Sequence, residues 1–102
     1  MLFRSLVTPE RKVKVKVGLA LKRLGAYHCT PVSGGFGNSG VPDILVCYKG
    51  RFIGIECKAG KGRLTALQEH NLNAIELSGG VALVINENNV EDLQQLIEEK
   101  VR

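Results

Sequence analysis

Residues 41–58 read VPDILVCYKGRFIGIECK, and this stretch decides the fold. It consists of two β-rich runs separated by Lys49-Gly50, a dipeptide suited to a tight hairpin turn. A turn of two residues would place Tyr48 across from Arg51. Counting outward along both strands from that pair places Asp43 across from Glu56, because cross-strand register is fixed by the length of the turn. The stretch therefore predicts a β-hairpin with an acidic pair at its open end.

The predicted hairpin brings two carboxylates and an ammonium group together. Cross-strand neighbours lie about 5 Å apart at Cβ, and like charges at that separation destabilise a sheet. Side chains alternate between faces along a strand, so Lys58 would share a face with Glu56 while Cys57 points away. Apposed carboxylates beside an ammonium group are what a hard divalent cation and an attacking water require. Acid-x-lysine on a strand and Pro-Asp in a turn are each common surface patterns, but their joint register favours a metal site over a solvated salt bridge.

We expect the chain to form a single domain, residues 1–102, with one hydrophobic core. It has no apolar run of about 18 residues, so we expect no membrane span. The starting segment MLFRSLVTPE has too short an apolar stretch for a secretory signal. Three cysteines without CxxC spacing indicate reduced thiols in an intracellular, cytoplasmic protein. Because Cys29, Cys47 and Cys57 fall in strand-like runs, we expect all three to be small core residues.

Charge divides the chain into two unlike parts. Residues 1–63 hold twelve Lys and Arg residues against three acidic ones, a net charge of +9, whereas residues 64–102 hold two against seven, a net charge of −5. The three acidic residues of the basic part are Glu10, Asp43 and Glu56. A strongly cationic segment favours phosphate backbones, although lysines that are only solvated give the same count. Charge alone therefore leaves nucleic-acid binding open.

A first helix is predicted between Thr8-Pro9 and Gly25, since Thr is a good N-cap, Pro suits a first turn and Gly suits a C-cap. Its apolar residues form one stripe at helical spacing: Val13, Val17, Ala20, Leu21 and Leu24. Val15 and Leu19 lie on the opposite side, which hints that another subunit covers them.

Glu10 falls on the apolar stripe of this first helix. A carboxylate on a buried helix face needs an ion-pair partner, a proton or a metal ion. The alternative is that Glu10, in the first turn, only complements the helix dipole. We favour a functional role for Glu10, because the neighbouring Arg11 could have served at the surface instead.

The remaining elements alternate between strands and helices. Residues 26–32 predict a strand with Pro31 near its end, and the run SGGFGNSG that follows predicts a loop leading into Asp43. After the hairpin, Thr65 and Gln68 have capping-box spacing for a helix. The order α-β-β-β-α-β-α predicts an α/β fold, a mixed β-sheet flanked by helices.

The signals for the last elements are local. Gly79-Gly80 predicts the end of the helix that begins at Thr65, and the apolar run at 81–85 predicts a buried strand. Asn88 or Asn89 would then cap a final helix. The apolar face of that helix comprises Val90, Leu93, Leu96 and Ile97.

The ordered set of motifs resembles the PD-(D/E)xK nuclease superfamily and, within it, the VRR-Nuc (virus-type replication-repair nuclease) domain. The match covers most of the chain, and its elements are Glu10, Gly40-Val41-Pro42-Asp43, Gly50-Arg51-Phe52, Ile55-Glu56-Cys57-Lys58, Gly62-Arg63-Leu64-Thr65, Gln68 and Gly79-Gly80. One departure is the glycine- and serine-rich segment before Gly40, which holds no arginine to assign to DNA contact. The resemblance implies a restriction-endonuclease-like core.

The resemblance also implies divalent-metal-dependent hydrolysis of DNA phosphodiester bonds. Asp43 and Glu56 would ligate Mg²⁺ or Mn²⁺, and the main-chain carbonyl of Cys57 would add a third oxygen. Glu10 would complete the site through a water or a second metal. Lys58 would orient the water, lower its pKa or stabilise the charge of the transition state.

Two further expectations concern the chemistry of this site. Gln68 would, by the resemblance, position the nucleophile or the substrate, although its capping-box role is sufficient by itself. From the residues alone, the two carboxylates should repel each other without metal, so that the pKa of one of them rises. An all-oxygen site also disfavours zinc, which prefers His and Cys.

DNA is the expected partner, and the side chains expected to contact it are Lys14, Asn38, Ser39, Lys61 and Arg63. Stand-alone members of the resembled family imply a homodimer that cuts four-way (Holliday) junctions or other branched DNA. The alternatives are a flap, nicking or general endonuclease, and a non-catalytic basic DNA-binding accessory module. The resemblance also suggests a phage or bacterial origin.

Overall fold

The structure, a computed structural model, describes residues 7–32 and 40–102. In chain order the elements within these ranges are α1 (Pro9–Leu24), β1 (Tyr27–Cys29), β2 (Ile44–Tyr48), β3 (Arg51–Cys57), α2 (Ala66–Leu77), β4 (Val81–Ile85), a 3-10 helix (Val90–Asp92) and α3 (Leu93–Lys100). The strands form a sheet in the order β1-β2-β3-β4, in which only the β3–β4 pair is parallel. The predicted α/β fold with a mixed sheet flanked by helices is therefore confirmed.

The β2–β3 hairpin has the two-residue turn and the register that the sequence predicts. Lys49 and Gly50 both have positive φ, 50° and 77°, as the turns that match strand twist require. Tyr48 pairs with Arg51, and the ladder continues to the pair Ile44 and Ile55. One residue beyond that last pair, Asp43 reaches the level of Glu56.

Helix α1 begins and ends where its caps predict. Thr8 accepts a hydrogen bond from the main-chain N–H of Arg11 at 3.1 Å, and Gly25 adopts a left-handed C-cap conformation. The predicted stripe packs into the core, with Val13, Val17 and Leu21 buried and Ala20 and Leu24 partly buried. Val15 and Leu19 are exposed, as expected.

The two faces of the sheet are covered differently. The alternating residues Ile53, Ile55 and Cys57 of β3 face the core that contains α1 and α3. The other face carries α2 over β3 and β4. A Cβ on Gly54 would lie 2.5 Å from Ile75 Cδ1, so this glycine allows α2 to approach β3 closely.

Strand β1 is shorter than predicted, and two cysteines face away from the core. Residues 26–32 were expected to be extended throughout, but β1 ends at Cys29, two residues before Pro31, which has no N–H to donate to a ladder. Cys29 and Cys47 are exposed, so their assignment to the core is wrong, whereas Cys57 is buried. All three lie in strands, but Cys29 and Cys47 occupy the alternate positions opposite the core face.

The last helix begins later than predicted. A 3-10 helix (Val90–Asp92) precedes α3, and Asn89 makes no side-chain cap hydrogen bond. Asn89 instead accepts from the N–H of Asn86 and donates to the carbonyl of Val84, which ties the loop to β4. The predicted apolar face is confirmed, since Val90, Leu93 and Ile97 are buried and Leu96 is partly buried. Within the described ranges, no helix has the length and apolar character needed to cross a membrane.

Candidate active site

Asp43 and Glu56 meet at the open end of the β2–β3 hairpin. Glu56 is the penultimate residue of β3, and Asp43 sits at a bend directly before β2. Asp43 Oδ2 accepts a hydrogen bond from the main-chain N–H of Cys57 at 2.7 Å. In a longer antiparallel ladder a main-chain carbonyl would accept that bond. The Asp43 side chain therefore takes the place of the backbone and is held beside Glu56.

The segment before Asp43 packs closely at two positions, with Gly40 against α2 and Pro42 against β3. Gly40 has φ of +82°, and a Cβ there would lie 2.6 Å from the main-chain carbonyl carbon of Leu67. Pro42 is buried and packs close to the position of a Cβ on Gly54, with Cγ 3.1 Å from it. A side chain at Gly40 would therefore clash with the main chain of α2, and its positive φ also favours glycine. This gives a physical reason for the glycine that opens the Gly40-Val41-Pro42-Asp43 motif.

Glu56 is almost completely buried, with a relative exposure of 2%. Gln68 Nε2 donates to Glu56 Oε1 at 3.2 Å. In the part of the chain that the structure describes, Glu56 Oε2 is buried with no hydrogen-bond partner. A buried carboxylate oxygen without a donor is costly, so some cation or proton is needed to satisfy it.

Gln68 performs both roles that its position in the sequence allows. Its Oε1 accepts from the main-chain N–H of Thr65 at 2.9 Å, and Thr65 Oγ1 accepts from the N–H of Gln68 at 3.2 Å, which completes a capping box. The remaining Nε2 group donates to Glu56. The start of α2 therefore fixes the orientation of the Glu56 carboxyl group.

The pKa of Glu56 is raised from 4.5 to about 8. Burial is the largest cause, because it disfavours the charged form, and the adjacent Asp43 carboxyl group adds to it. The Lys58 ammonium acts in the opposite direction, and the charge of Glu10 raises the pKa a little further. The expectation that one carboxyl pKa rises in the metal-free protein is therefore confirmed. Protonation would also give Glu56 Oε2 a hydrogen to donate.

Lys58 follows β3 directly and is half-buried. Its main-chain N–H donates to the carbonyl of Ile85 at 2.9 Å, which extends the β3–β4 pairing by one bond. Its ammonium group lowers the pKa of Glu56, so the two charges are close enough to interact. The expected interaction of Lys58 with Glu56 is therefore present.

Glu10 and Lys14, both on α1, extend the acidic pair on the helix side. Lys14 Nζ lies 3.6 Å from Glu10 Oε2 and 3.4 Å from Asp43 Oδ1. Partial burial disfavours the Lys14 ammonium, but the charges of Asp43 and Glu10 outweigh it and raise the pKa of Lys14. Lys14, expected to contact DNA, is therefore ion-paired inside the site.

The expectation that Glu10 lies on a buried helix face is wrong. Its side chain is 44% exposed and pairs with Lys14 one turn along the helix. The buried stripe of α1 begins only at Val13, so the first turn extends beyond the core. Glu10 nevertheless shares the ammonium group of Lys14 with Asp43.

Cys57 contributes its main chain, not its thiol. Burial, followed by the charge of Asp43, raises the pKa of the Cys57 thiol to about 12, so the thiol stays protonated in the core. A strand residue directs its N–H and C=O toward the same neighbouring strand. Since the N–H of Cys57 faces Asp43, its carbonyl oxygen is also directed to the side of the acidic pair.

The basic loop after β3 is held by a residue that sequence reasoning missed. The main-chain N–H of Gly60 donates to both carboxylate oxygens of Glu87, at 3.1 and 2.9 Å. Lys61 and Arg63 are exposed on this loop, where they were expected to bind phosphates. No pattern in the sequence connects Glu87 to a loop so distant along the chain. Asn38 and Ser39, the other expected DNA contacts, lie outside the described residues.

The donors of the site fit a hard divalent cation. The carboxylate oxygens of Asp43 and Glu56 are of the type that Mg²⁺ and Mn²⁺ prefer, and the unpartnered Glu56 Oε2 is a buried acceptor that a cation would satisfy. Among residues 7–32 and 40–102, no three or more His, Cys, Asp or Glu side chains are grouped so that they could hold a metal ion. Any ion at the pair would therefore depend on main-chain oxygen and water for its remaining ligands.

Comparison with known proteins found no match: the chain matches no family model and has no significant match among curated proteins. Function is therefore inferred from the residues of the site and their geometry.

Proposed function

We propose that this protein is a divalent-metal-dependent endonuclease with a restriction-endonuclease-like core of the VRR-Nuc type, acting on branched DNA. The observation that carries the proposal is the apposition of Asp43 and Glu56 at the end of the hairpin, with Glu56 buried and one of its oxygens unpartnered. An ionised carboxylate in such a position destabilises the fold unless a cation satisfies it, and strongly perturbed acids of this kind are common at functional sites.

Each side chain has a role that follows from its position. Asp43 and Glu56 would hold Mg²⁺ or Mn²⁺, with the Cys57 carbonyl beside them. The bound ion would supply Lewis-acid polarisation of the phosphate and a water of lowered pKa. Lys58 stabilises negative charge on the phosphate or orients the water, and Gln68 holds the Glu56 carboxyl group in place. Lys61 and Arg63, exposed on the adjacent loop, bind flanking phosphates.

The test is cleavage of a labelled four-way junction by the purified protein in Mg²⁺ or Mn²⁺. Linear duplex, flap and single-stranded substrates of the same sequence run alongside. We expect paired, symmetric cuts in the junction that disappear with EDTA and in Glu56→Gln, an isosteric change that removes the charge. Asp92→Asn removes an exposed carboxylate of the 3-10 helix and should cut normally.

The outcomes separate the possible substrates. Cutting of every substrate would support a general endonuclease and contradict the preference for junctions, whereas cutting of flaps alone would indicate a flap nuclease. Cutting that persists in Glu56→Gln would contradict the assignment of the site.

A homodimer is part of the proposal, because a two-fold junction is matched by two sites related by two-fold symmetry. The exposed apolar residues Val15 and Leu19 on α1 support it, since an apolar surface on a helix is commonly covered by a partner. Light scattering at micromolar concentration should give twice the mass of the chain. A monomer under those conditions would contradict the dimer.

A second candidate is a DNA-binding accessory module without catalytic activity. It is favoured by the lack, within the described residues, of a third His, Cys, Asp or Glu side chain that could hold a metal ion together with the acidic pair. Such a module would bind DNA with an affinity that falls with salt but does not depend on Mg²⁺ or on Glu56→Gln. Binding measured in EDTA, together with the cleavage assay, separates the two candidates.

A further inference from the structure

Lys14 is placed where a second cation would bind. Its Nζ lies 3.4 Å from Asp43 Oδ1 and 3.6 Å from Glu10 Oε2, so a single ammonium group contacts both carboxylates. The second oxygen of Asp43 is held by the N–H of Cys57. One oxygen of Asp43 therefore contacts Lys14, while its other oxygen is fixed to β3.

The surroundings of Lys14 differ from those of an ordinary surface ion pair. On the same helix, Lys16 lies 3.4 Å from Glu91 Oε1, but these two side chains are 59% and 78% exposed. Around Lys14, by contrast, the Asp43 side chain is only 19% exposed. An ion pair shielded from water is stronger than one in full solvent, so Lys14 is held more firmly than Lys16.

We propose that Lys14 acts as a built-in cation between Glu10 and Asp43, so that each chain binds one divalent ion, at Asp43 and Glu56, and not a second one at Glu10 and Asp43. The inference rests on the proposed metal-dependent function. The unpartnered, buried Glu56 Oε2 marks where the divalent ion is needed. At the Glu10 side the ammonium group already offsets half of the negative charge of the two carboxylates and occupies the space between them, so a second divalent ion would have to displace it against charge repulsion.

Removal of the ammonium group should therefore create a second metal site. In Lys14→Met, the positive charge that lies between the carboxylates of Glu10 and Asp43 is removed. Two hard anionic donors then become free to bind a divalent ion. Met is a good helix former and Lys14 is partly exposed, so α1 should still form. Lys14→Arg keeps the positive charge and should keep the wild-type stoichiometry.

The experiment counts bound Mn²⁺ per chain without DNA, by the electron paramagnetic resonance signal of free Mn²⁺ during a titration at neutral pH. We expect about one ion per chain in the wild type and about two in Lys14→Met. The double variant Glu10→Gln/Lys14→Met should return to about one bound ion per chain, because the second site has lost a ligand.

Two controls accompany these variants. Lys16→Met removes the matched ion pair on the same helix and should bind the same number of ions as the wild type. Circular dichroism shows whether each variant is folded, and Lys14→Gln replaces Lys14→Met if the latter is not.

The outcomes distinguish this inference from the proposed function. A wild type that binds two ions, or a folded Lys14→Met that binds one, overturns the role of Lys14 and leaves the nuclease proposal intact. A wild type that binds no Mn²⁺ overturns both. A second ion in Lys14→Met that survives Glu10→Gln also overturns the inference, since the new site would then lie elsewhere.

Discussion

Glu56 shows how a single residue can couple the stability of this fold to its chemistry. It lies on a central strand, almost fully buried, with one oxygen bonded to Gln68 and the other unpartnered in the described structure. Ionisation there is costly, and the pKa near 8 means that the metal-free protein keeps the carboxyl group protonated through most of the neutral range. A divalent cation would replace that proton.

The metal-free protein should lose stability as pH rises from about 4.5 to about 8. The folded pKa of Glu56 is raised above its unfolded value, so in this window the unfolded chain releases a proton that the folded chain retains. Each pKa unit corresponds to about 1.4 kcal/mol, so the loss should amount to a few kcal/mol. Urea unfolding in EDTA at a series of pH values measures the slope.

The control for this slope is an isosteric change. Glu56→Gln cannot ionise, so its stability should vary much less over the same pH window, and the variant should be more stable than wild type at pH 8. Glu98→Gln, on the exposed face of α3, should leave the slope unchanged. An equal slope in wild type and Glu56→Gln would show that another group is responsible.

At the scale of elements, the start of α2 is both a helix cap and a support for the site. The capping box joins Thr65 and Gln68, and the spare amide group of Gln68 reaches Glu56 on β3. Helix and strand are thus connected by a single side chain. The two functions of that side chain can be separated by substitution.

Gln68→Glu should keep the cap and damage the site. A glutamate at this position of a capping box still accepts from the N–H of Thr65, so α2 should remain formed. Its second oxygen would face the Glu56 carboxyl group where an amide donor was, and cleavage should fall by roughly 10- to 100-fold, the equivalent of a lost hydrogen bond to a charged group. Gln68→Ala should reduce cleavage and also lower the free energy of unfolding by about 1 kcal/mol, because the cap is lost as well.

Cleavage rates measure the effect of each variant on the site, and urea unfolding measures its effect on the helix cap. A Gln68→Glu protein that cuts normally would show that the contact with Glu56 is dispensable.

Local sequence signals were sufficient to predict the helices and strands on which the site residues lie. The Lys49-Gly50 turn fixed the register of the hairpin, and the caps at Thr8, Gly25 and Thr65 placed two helices. From the register alone it followed that Asp43 lies at the level of Glu56. These signals depend on residues only a few positions apart, which is why a sequence reveals them.

The features that were missed depend on contacts between distant parts of the chain. The exposure of Cys29 and Cys47 depends on which face of the sheet α2 covers, and α2 does not extend over β1 and β2. Glu87 holds the loop at Gly60 from 27 residues away, and Lys14 reaches Asp43 from another element. Neither contact has a sequence pattern, because tertiary packing alone brings the partners together.

For the whole molecule, the uneven charge distribution predicts where DNA would bind if the proposed function is right. The basic part, residues 1–63, includes the exposed loop residues Lys61 and Arg63, whereas the 3-10 helix and α3 together expose four carboxylates against one lysine: Glu91, Asp92, Glu98, Glu99 and Lys100. Phosphates should therefore contact the side of the molecule that carries the loop and not the side of α3. Glu87 anchors this loop at Gly60, two residues after Lys58.

The double variant Lys61→Ala/Arg63→Ala should bind DNA more weakly and with a smaller salt dependence. Two lost phosphate contacts should reduce the slope of log affinity against log salt by about two. Lys100→Ala/Arg102→Ala removes the same charge from the acidic end of the chain and should change the slope little. Fluorescence anisotropy over a salt series measures both, and equal slopes in the two double variants would contradict a localised DNA surface.

Strand β3 is paired along its whole length, with β2 from Arg51 to Ile55 and with β4 from Ile53 to Cys57, so that its middle residues are paired on both sides. Its amide protons should accordingly be among the last to exchange with solvent, since they open only when the sheet itself comes apart. Glu56 and Cys57 belong to this strand, and Asp43 is bonded to the N–H of Cys57, so the acidic pair is attached to the slowest-exchanging part of the sheet. Glu10, by contrast, lies in the first turn of α1, ahead of the buried stripe of that helix, where fraying costs far less. On the proposed function, the acidic pair would stay fixed while the end of the helix beside it adjusts to a substrate.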